Sequence, residues 1–117
     1  MTKVEKYFRM AKLVALRGDA KDAQRQYRIG AVGIRNDGVM VGASNVPSRK
    51  QIVNAHAEYR TAKMLTIDSI MFVVRISRSG NLRLAKPCEK CQKYLKFRKV
   101  RKCYYSIDNE NYGVMQF

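Results

Sequence analysis

Apolar residues change their spacing several times along the 117-residue chain, and the changes mark out its elements. Val4, Tyr7, Phe8, Ala11, Val14 and Ala15 recur at helical spacing, so Thr2 to Leu16 reads as an amphipathic helix. Thr2 with Glu5 three residues on is a capping-box pattern, and Gly18 is a natural stop. Asp19 to Asp22 reads as a loop. Tyr27, Ile29, Ala31 and Gly33 alternate with Arg28, Gly30, Val32 and Ile34, a segment that suits a strand covered on both faces. Asn36-Asp37-Gly38 signals a turn, and Val39 to Ala43 returns as the second arm of a hairpin. Ser44 to Asn54 is polar and contains Pro47, which argues against a continuous helix there.

Ala55 to Thr66 returns to helical spacing, with Ala55, Tyr59, Ala62 and Leu65 inward. Ser69 to Ile76 is β-branched and aromatic, hence a strand. Ser77 to Asn81 is a turn, and Leu82 to Lys86 is a connecting stretch. Pro87 is placed to open a third helix. Val100 to Ile107 and Tyr112 to Phe117 read as strands joined by the Asp108–Asn111 turn. That connection is too short for a crossover helix, so the pair is antiparallel. The order helix, hairpin, helix, strand, helix, strand, strand makes an α/β fold with a mixed five-stranded sheet flanked by helices.

The length fits one domain over residues 1–117. No apolar run is long enough to cross a bilayer, and a charged amphipathic segment stands where a signal-peptide core would. The three cysteines cannot complete a disulfide set, so a reducing, cytoplasmic setting is expected. Charge changes the picture more. Lys and Arg number 24 against 9 acidic residues, a formal net charge of +15. Such a field draws polyanions, and cations that neutralise phosphates release counterions. The simpler account is a solvated basic surface; polyanion binding is favoured because the excess is large for so short a chain.

The chemistry concentrates in His56-Ala57-Glu58 and Pro87-Cys88-Glu89-Lys90-Cys91. One imidazole and two thiolates give zinc three protein ligands and leave a fourth position for water, as catalytic zinc requires. Zinc lowers the pKa of bound water, and Glu58 is a carboxylate positioned to take a proton and pass it on. Cys88 and Cys91 share one side of a helical first turn, where the dipole favours thiolate. A closed site with Cys103 as fourth ligand is the structural alternative, but a cysteine inside an apparent strand is by default an inert core residue. A redox role for Cys88-x-x-Cys91 leaves His56 and Glu58 unexplained.

At these residues the chain resembles the cytidine deaminase-like superfamily of zinc deaminases, over roughly Tyr27 to Tyr105. The resemblance implies a three-layer α-β-α fold with helices on both faces of the sheet. It implies His56, Cys88 and Cys91 as zinc ligands, Glu58 as proton shuttle, and hydrolytic conversion of cytosine to uracil. Asn45 stands where relatives carry a sugar- or base-contacting Asn; an Asn capping a turn is the equal alternative. The Ala57 amide matches a contact to the pyrimidine carbonyl, and Arg49 with Lys50 are candidate phosphate contacts.

The chain lacks the extra C-terminal helix of adenosine and polynucleotide deaminases. Its antiparallel terminal hairpin is like that of free-nucleoside enzymes, while His as first ligand is like the deoxycytidylate and polynucleotide branches. The compact layout also resembles short phage-encoded deaminase-like proteins. Two substrates follow: cytosine in single-stranded DNA or RNA, which the charge favours, or a free cytosine nucleotide. A zinc-stabilised nucleic-acid-binding module without chemistry is the non-enzymatic alternative. Relatives often form homo-oligomers through their helices. Lys90, Lys93, Lys96, Arg98, Lys99, Arg101 and Lys102 form either a solvated face or a phosphate-tracking one. Tyr94, Phe97, Tyr104 and Tyr105 among them are base-stacking candidates, with core packing the default for most.

Overall fold

Strand β1 (Tyr27–Ile34) runs antiparallel between β2 (Met40–Ser44) and β3 (Ile70–Ser77). The structure is a computed structural model that describes residues 2–17, 27–45 and 56–117. Successive β1 residues enter opposite cores: Ala31 joins one buried cluster and Val32 the other. A strand with cores on both sides cannot keep a polar set, which is why both parities are apolar or glycine from Ile29 to Ile34. Glycine at position 30 also lets a helix approach, since a Cβ there would collide with backbone at Ala11 and Ala15.

The helix that approaches is α1 (Lys3–Arg17), which lays Ala11 and Ala15, flanked by Val4, Tyr7, Phe8 and Val14, against Val32, Phe72, Val74 and Ile76. Its start is the expected capping box: the Glu5 amide donates to Thr2 Oγ1 at 3.1 Å, and the Thr2 amide donates to Glu5 Oε2 at 3.4 Å. The other face is covered by α2 (Ala57–Ala62) and α3 (Glu89–Phe97). Ala57, Ala62, Leu65 and Leu95 pack there on Ala31, Met71, Val73 and Cys103. The three layers expected from the resemblance are present.

The path through the sheet is β2-β1-β3-β5-β6, with β5 (Lys102–Ser106) parallel to β3 and β6 (Tyr112–Gln116) antiparallel to β5. The sheet has six strands, not five. The sixth, β4 (Leu82–Arg83), pairs antiparallel with β3 through Arg75↔Arg83 and Ile76↔Leu82. It continues the edge of β3 beyond Val73, where the β5 register ends. Two residues carry no periodicity, so this stretch reads from sequence as a connection.

Other boundaries shift slightly. The hairpin turn holds Gly38 at φ +88°, the Arg35 amide donates to the Val39 carbonyl at 2.9 Å, and β2 starts one residue later than expected. Helix α2 ends at Ala62 instead of Thr66, because Met64 and Leu65 amides donate to the Thr61 and Ala62 carbonyls in a tightened last turn. The chain then reverses through Asp68 at φ 63°. After α3 it reverses again through Lys99 at φ 59°. The two reversals are joined: the Asp68 amide donates to the Lys99 carbonyl at 2.9 Å, and Arg101 to Ser69 at 2.8 Å. Each helix therefore feeds the start of one of the two parallel strands. Both helix N-termini are thus carried to the C-terminal ends of β3 and β5, the end of a parallel sheet where α/β proteins place ligand sites. No helix among the described residues is long and apolar enough to cross a membrane. Gly18, Asp19 to Asp22, Pro47 and Ala55 lie outside the described residues.

Candidate metal centre

His56 is the N-cap of α2 and Cys88 the N-cap of α3. Each has extended backbone, with φ −72°, ψ 143° and φ −65°, ψ 165°. Pro87 therefore precedes the cap instead of opening the first turn. It is fully buried, and the Gln92 side chain donates to its carbonyl at 2.7 Å. The approach to Pro87 is fixed by Ser106, a buried residue at the end of β5. Its hydroxyl donates to the Arg83 carbonyl at 2.6 Å and accepts from the Arg75 amide at 3.3 Å, while its carbonyl accepts from the Ala85 amide at 2.8 Å. A serine in a strand gives no sequence signal for that role.

His56 Nδ1 lies 3.3 Å from Cys91 Sγ and 3.8 Å from Cys88 Sγ. The three donor atoms all fall within 4.8 Å of one another. Tetrahedral zinc, with bonds of about 2.3 Å to sulfur and about 2.0 Å to nitrogen, holds N and S about 3.5 Å apart. The observed distances bracket that value. The Cys91 amide donates to Cys88 Sγ at 3.5 Å, which ties the sulfur to the first turn of α3.

Glu58, in the first turn of α2, is only 6% exposed. Its Oε1 has no hydrogen-bond partner among the described residues. Burial pushes its carboxyl above the ordinary range, offset in part by its own backbone amide and by Cys91. Burial likewise raises the Cys91 thiol, and the negative charges of Glu58 and Cys88 add to the rise. Anionic donors with an orphaned carboxylate beside them suit a divalent cation, which favours thiolate and reverses this direction. Zinc fits these residues.

Cys103 is fully buried on β5 and stands outside the donor cluster. Its thiol is also raised, first by burial and then by the Glu58 charge. The fold thus keeps it as a core residue near the floor of the site. Ala57 is buried directly after His56. Asn45 is half-buried at the end of β2, where its Oδ1 accepts from the Ile29 amide and its own amide donates to the Ile29 carbonyl, both at 3.1 Å. Its side chain therefore caps the β1–β2 pairing, with the carboxamide NH2 left as donor. Arg49 and Lys50 lie outside the described residues.

The cationic face on and after α3 divides. Lys90, Lys93, Lys96, Lys99 and Arg101 are exposed. Arg98 instead turns inward from the C-cap of α3 and donates to the carbonyls of Ala62 at 3.2 Å, Lys63 at 3.2 Å and Leu65 at 2.6 Å. It binds the C-terminal end of α2 and is not a phosphate contact. Between this clamp and the donors, Tyr59 of α2 stacks on Tyr94 of α3 with centroids 4.2 Å apart. Tyr104 stacks on Phe72 at 4.8 Å, and Tyr105 packs against the core. Of the four aromatics considered for base stacking, only Phe97, at 76%, is largely exposed.

A family model for the cytidine and deoxycytidylate deaminase zinc-binding region matches residues 1–107. Among solved structures, the fold is similar to cytidine deaminase from Burkholderia pseudomallei, with TM-score 0.76 and 17% identity over 99% of this chain and 93% of that one. It is also similar to cytidine deaminase from Mycobacterium leprae, with TM-score 0.63 and 14% identity over 97% and 94%. No curated protein sequence matches the chain.

Proposed function

We infer, from the premise that this chain belongs to the cytidine and deoxycytidylate deaminase zinc-binding family, that residues 1–117 form one domain that hydrolyses the exocyclic amine of a cytosine base. Water is consumed, uracil forms and ammonia leaves. One observation carries this reading: a buried carboxylate with an orphaned oxygen, Glu58, stands two residues from a three-donor cluster on adjoining helix starts. Bound zinc would supply Lewis-acid activation of water. His56, Cys88 and Cys91 hold it through one nitrogen and two sulfurs, a set that leaves a position for water.

Glu58 does the proton work: Oε1 has no partner among the described residues, which leaves it to take protons from the attacking water and pass them to the base nitrogens. The Ala57 amide, one of the free N–H groups at the start of α2, orients the pyrimidine carbonyl. Asn45 offers its remaining donor to the sugar, and Arg49 reaches a phosphate. The rigid β1–β2 cap around Asn45 supports that placement.

Cytosine within single-stranded nucleic acid is the favoured substrate, because a mononucleotide leaves most of the +15 charge unused. A free cytosine nucleotide is the second reading, favoured by the antiparallel β5–β6 edge. The test is ammonia release by zinc-loaded protein, with Glu58→Gln as control, from cytosine-containing single-stranded DNA, single-stranded RNA and dCMP. Glu58-dependent release from a polymer supports the first reading, and release from dCMP alone the second. Release from none of them, with zinc bound, overturns both readings and turns attention to adenine substrates and then to the non-catalytic binding module.

A further inference from the structure

We propose that the hollow between the end of α1 and the outer side of α2, floored by β2, is a phosphate-binding groove for the substrate. It has a volume of about 560 Å³, and Arg17, Arg60 and Lys63 line it above Gly42, Ala43 and Ser44. Among the described residues, no acidic side chain lines it. Among the described residues the ion pairs are Arg35–Asp37 and Lys93–Glu89, so none of the three cations has an acidic partner among them. Three like charges around one hollow repel one another, and an anion between them relieves that repulsion.

The helix dipoles do not explain the cluster. Arg17 and Lys63 stand at helix C-termini, where one cation offsets the negative end. Those carbonyls already have other cations. Arg28 Nη1 donates to the Leu16 carbonyl at 3.3 Å, and Arg98 donates to the Ala62, Lys63 and Leu65 carbonyls. Arg17, Arg60 and Lys63 are therefore surplus to the helix ends.

The groove is also built and well placed. Arg60 Nη1 donates to the Ser44 carbonyl, which fixes the guanidinium against the wall. Gly42 keeps the floor low, since a Cβ there would crowd Val14 and Val32. Arg60 stands one helical turn past His56, its amide bonded to the His56 carbonyl at 3.0 Å. Ser44 adjoins Asn45, the proposed sugar contact. A phosphate leaving a sugar at Asn45 meets this groove next.

Naming a nucleotide phosphate as occupant rests on the deaminase reading; naming an anion does not. The experiment therefore uses Glu58→Gln protein and measures binding of a cytosine-free oligothymidylate, dCMP and cytidine against salt. The variant Arg17→Ala/Lys63→Ala removes two exposed cations, with thermal melting as the check on folding. The expected result is an about tenfold loss of oligothymidylate affinity and a salt slope shallower by about 1.4, at about 0.7 per lost contact on a single strand. The same loss for dCMP but not cytidine supports the groove as the seat of a mononucleotide phosphate; loss for the oligomer alone supports the polymer backbone. An unchanged affinity for both phosphorylated ligands overturns the groove. So does an equal loss from Lys93→Ala/Lys96→Ala, which takes the same charge from α3. Groove-dependent binding, in a protein whose wild type releases no ammonia, upholds the groove and overturns only the deaminase reading.

Discussion

Arg98 donates to the carbonyl of Leu65 at 2.6 Å, and that bond joins the far ends of the two helices whose near ends carry the metal donors. With the bonds to Ala62 and Lys63, one guanidinium binds three carbonyls at and just beyond the end of α2, where helix carbonyls run out of intrahelical donors. The helices are held at three levels: donors at the top, the Tyr59–Tyr94 stack between, and Arg98 below. Arg98→Met is expected to destabilise the protein by about 2 kcal/mol and to weaken zinc retention. Lysine can reach a carbonyl but lacks the planar fork, so Arg98→Lys should recover only part of the loss. Thermal melting with zinc competition checks this; a variant with wild-type stability sinks the clamp.

The two kinds of cysteine should separate on substitution. Cys103 is fully buried and outside the donor set, so Cys103→Ser places a hydroxyl in the core at a cost of about 1–3 kcal/mol. Zinc content should stay at the wild-type level. Cys88→Ser removes a ligand and should lose zinc with a smaller effect on the apo fold, since Cys88 is exposed. Metal analysis of the purified variants decides. Loss of zinc from Cys103→Ser would favour a closed structural site and the non-catalytic module.

Much of this arrangement was legible in the residues. The parity of Tyr27 to Ile34 marked a strand between two cores, and Thr2 with Glu5 marked the start of α1, because both signals are local. Spacing in the two motifs was enough to bring His56, Cys88 and Cys91 into one reading. What escaped depends on partners far along the chain. β4 exists because β5 leaves the end of β3 open. Ser106 matters through carbonyls and amides of residues 75–85. Arg98 sits in a run of cations, and nothing local distinguishes it from the exposed lysines around it; only the tertiary position of α2 does. The basic groove is assembled from α1, β2 and α2, so no window of sequence contains it.

The β5–β6 turn supplies a pH-dependent feature outside the donor cluster. Asp108 Oδ1 accepts from the Glu110 and Asn111 amides, each at 2.8 Å, and its carboxylate also accepts from the Asn111 side chain. The Asn111 side-chain bonds foremost, then the Glu110 amide, hold its pKa below the ordinary aspartate value. A lowered folded pKa contributes stability above the unfolded value, about 3.9, which is lost as pH falls through the folded one. The amide shifts of Glu110 and Asn111 should therefore titrate together with a midpoint below about 3.9. A midpoint at or above that value sinks the assignment. Asp108→Asn should abolish the titration and leave the sheet intact.

Glu58→Gln separates the chemistry from the fold. The side chain is buried, its charged form is disfavoured, and Oε1 has no partner. Replacing the carboxyl by an isosteric amide removes the proton carrier and the buried charge without opening a cavity. The three donors are untouched. Zinc content should match wild type, and thermal stability should be equal or slightly higher, because a buried group with a raised pKa opposes folding in its charged form. Turnover of the cytosine substrate should fall by at least about 10²- to 10⁴-fold, the usual contribution of a positioned acid–base group. Side-by-side metal analysis, melting and ammonia release read the three effects independently. Full turnover in Glu58→Gln would remove Glu58 from the mechanism, while lost zinc with lost turnover would make it a support for the metal site.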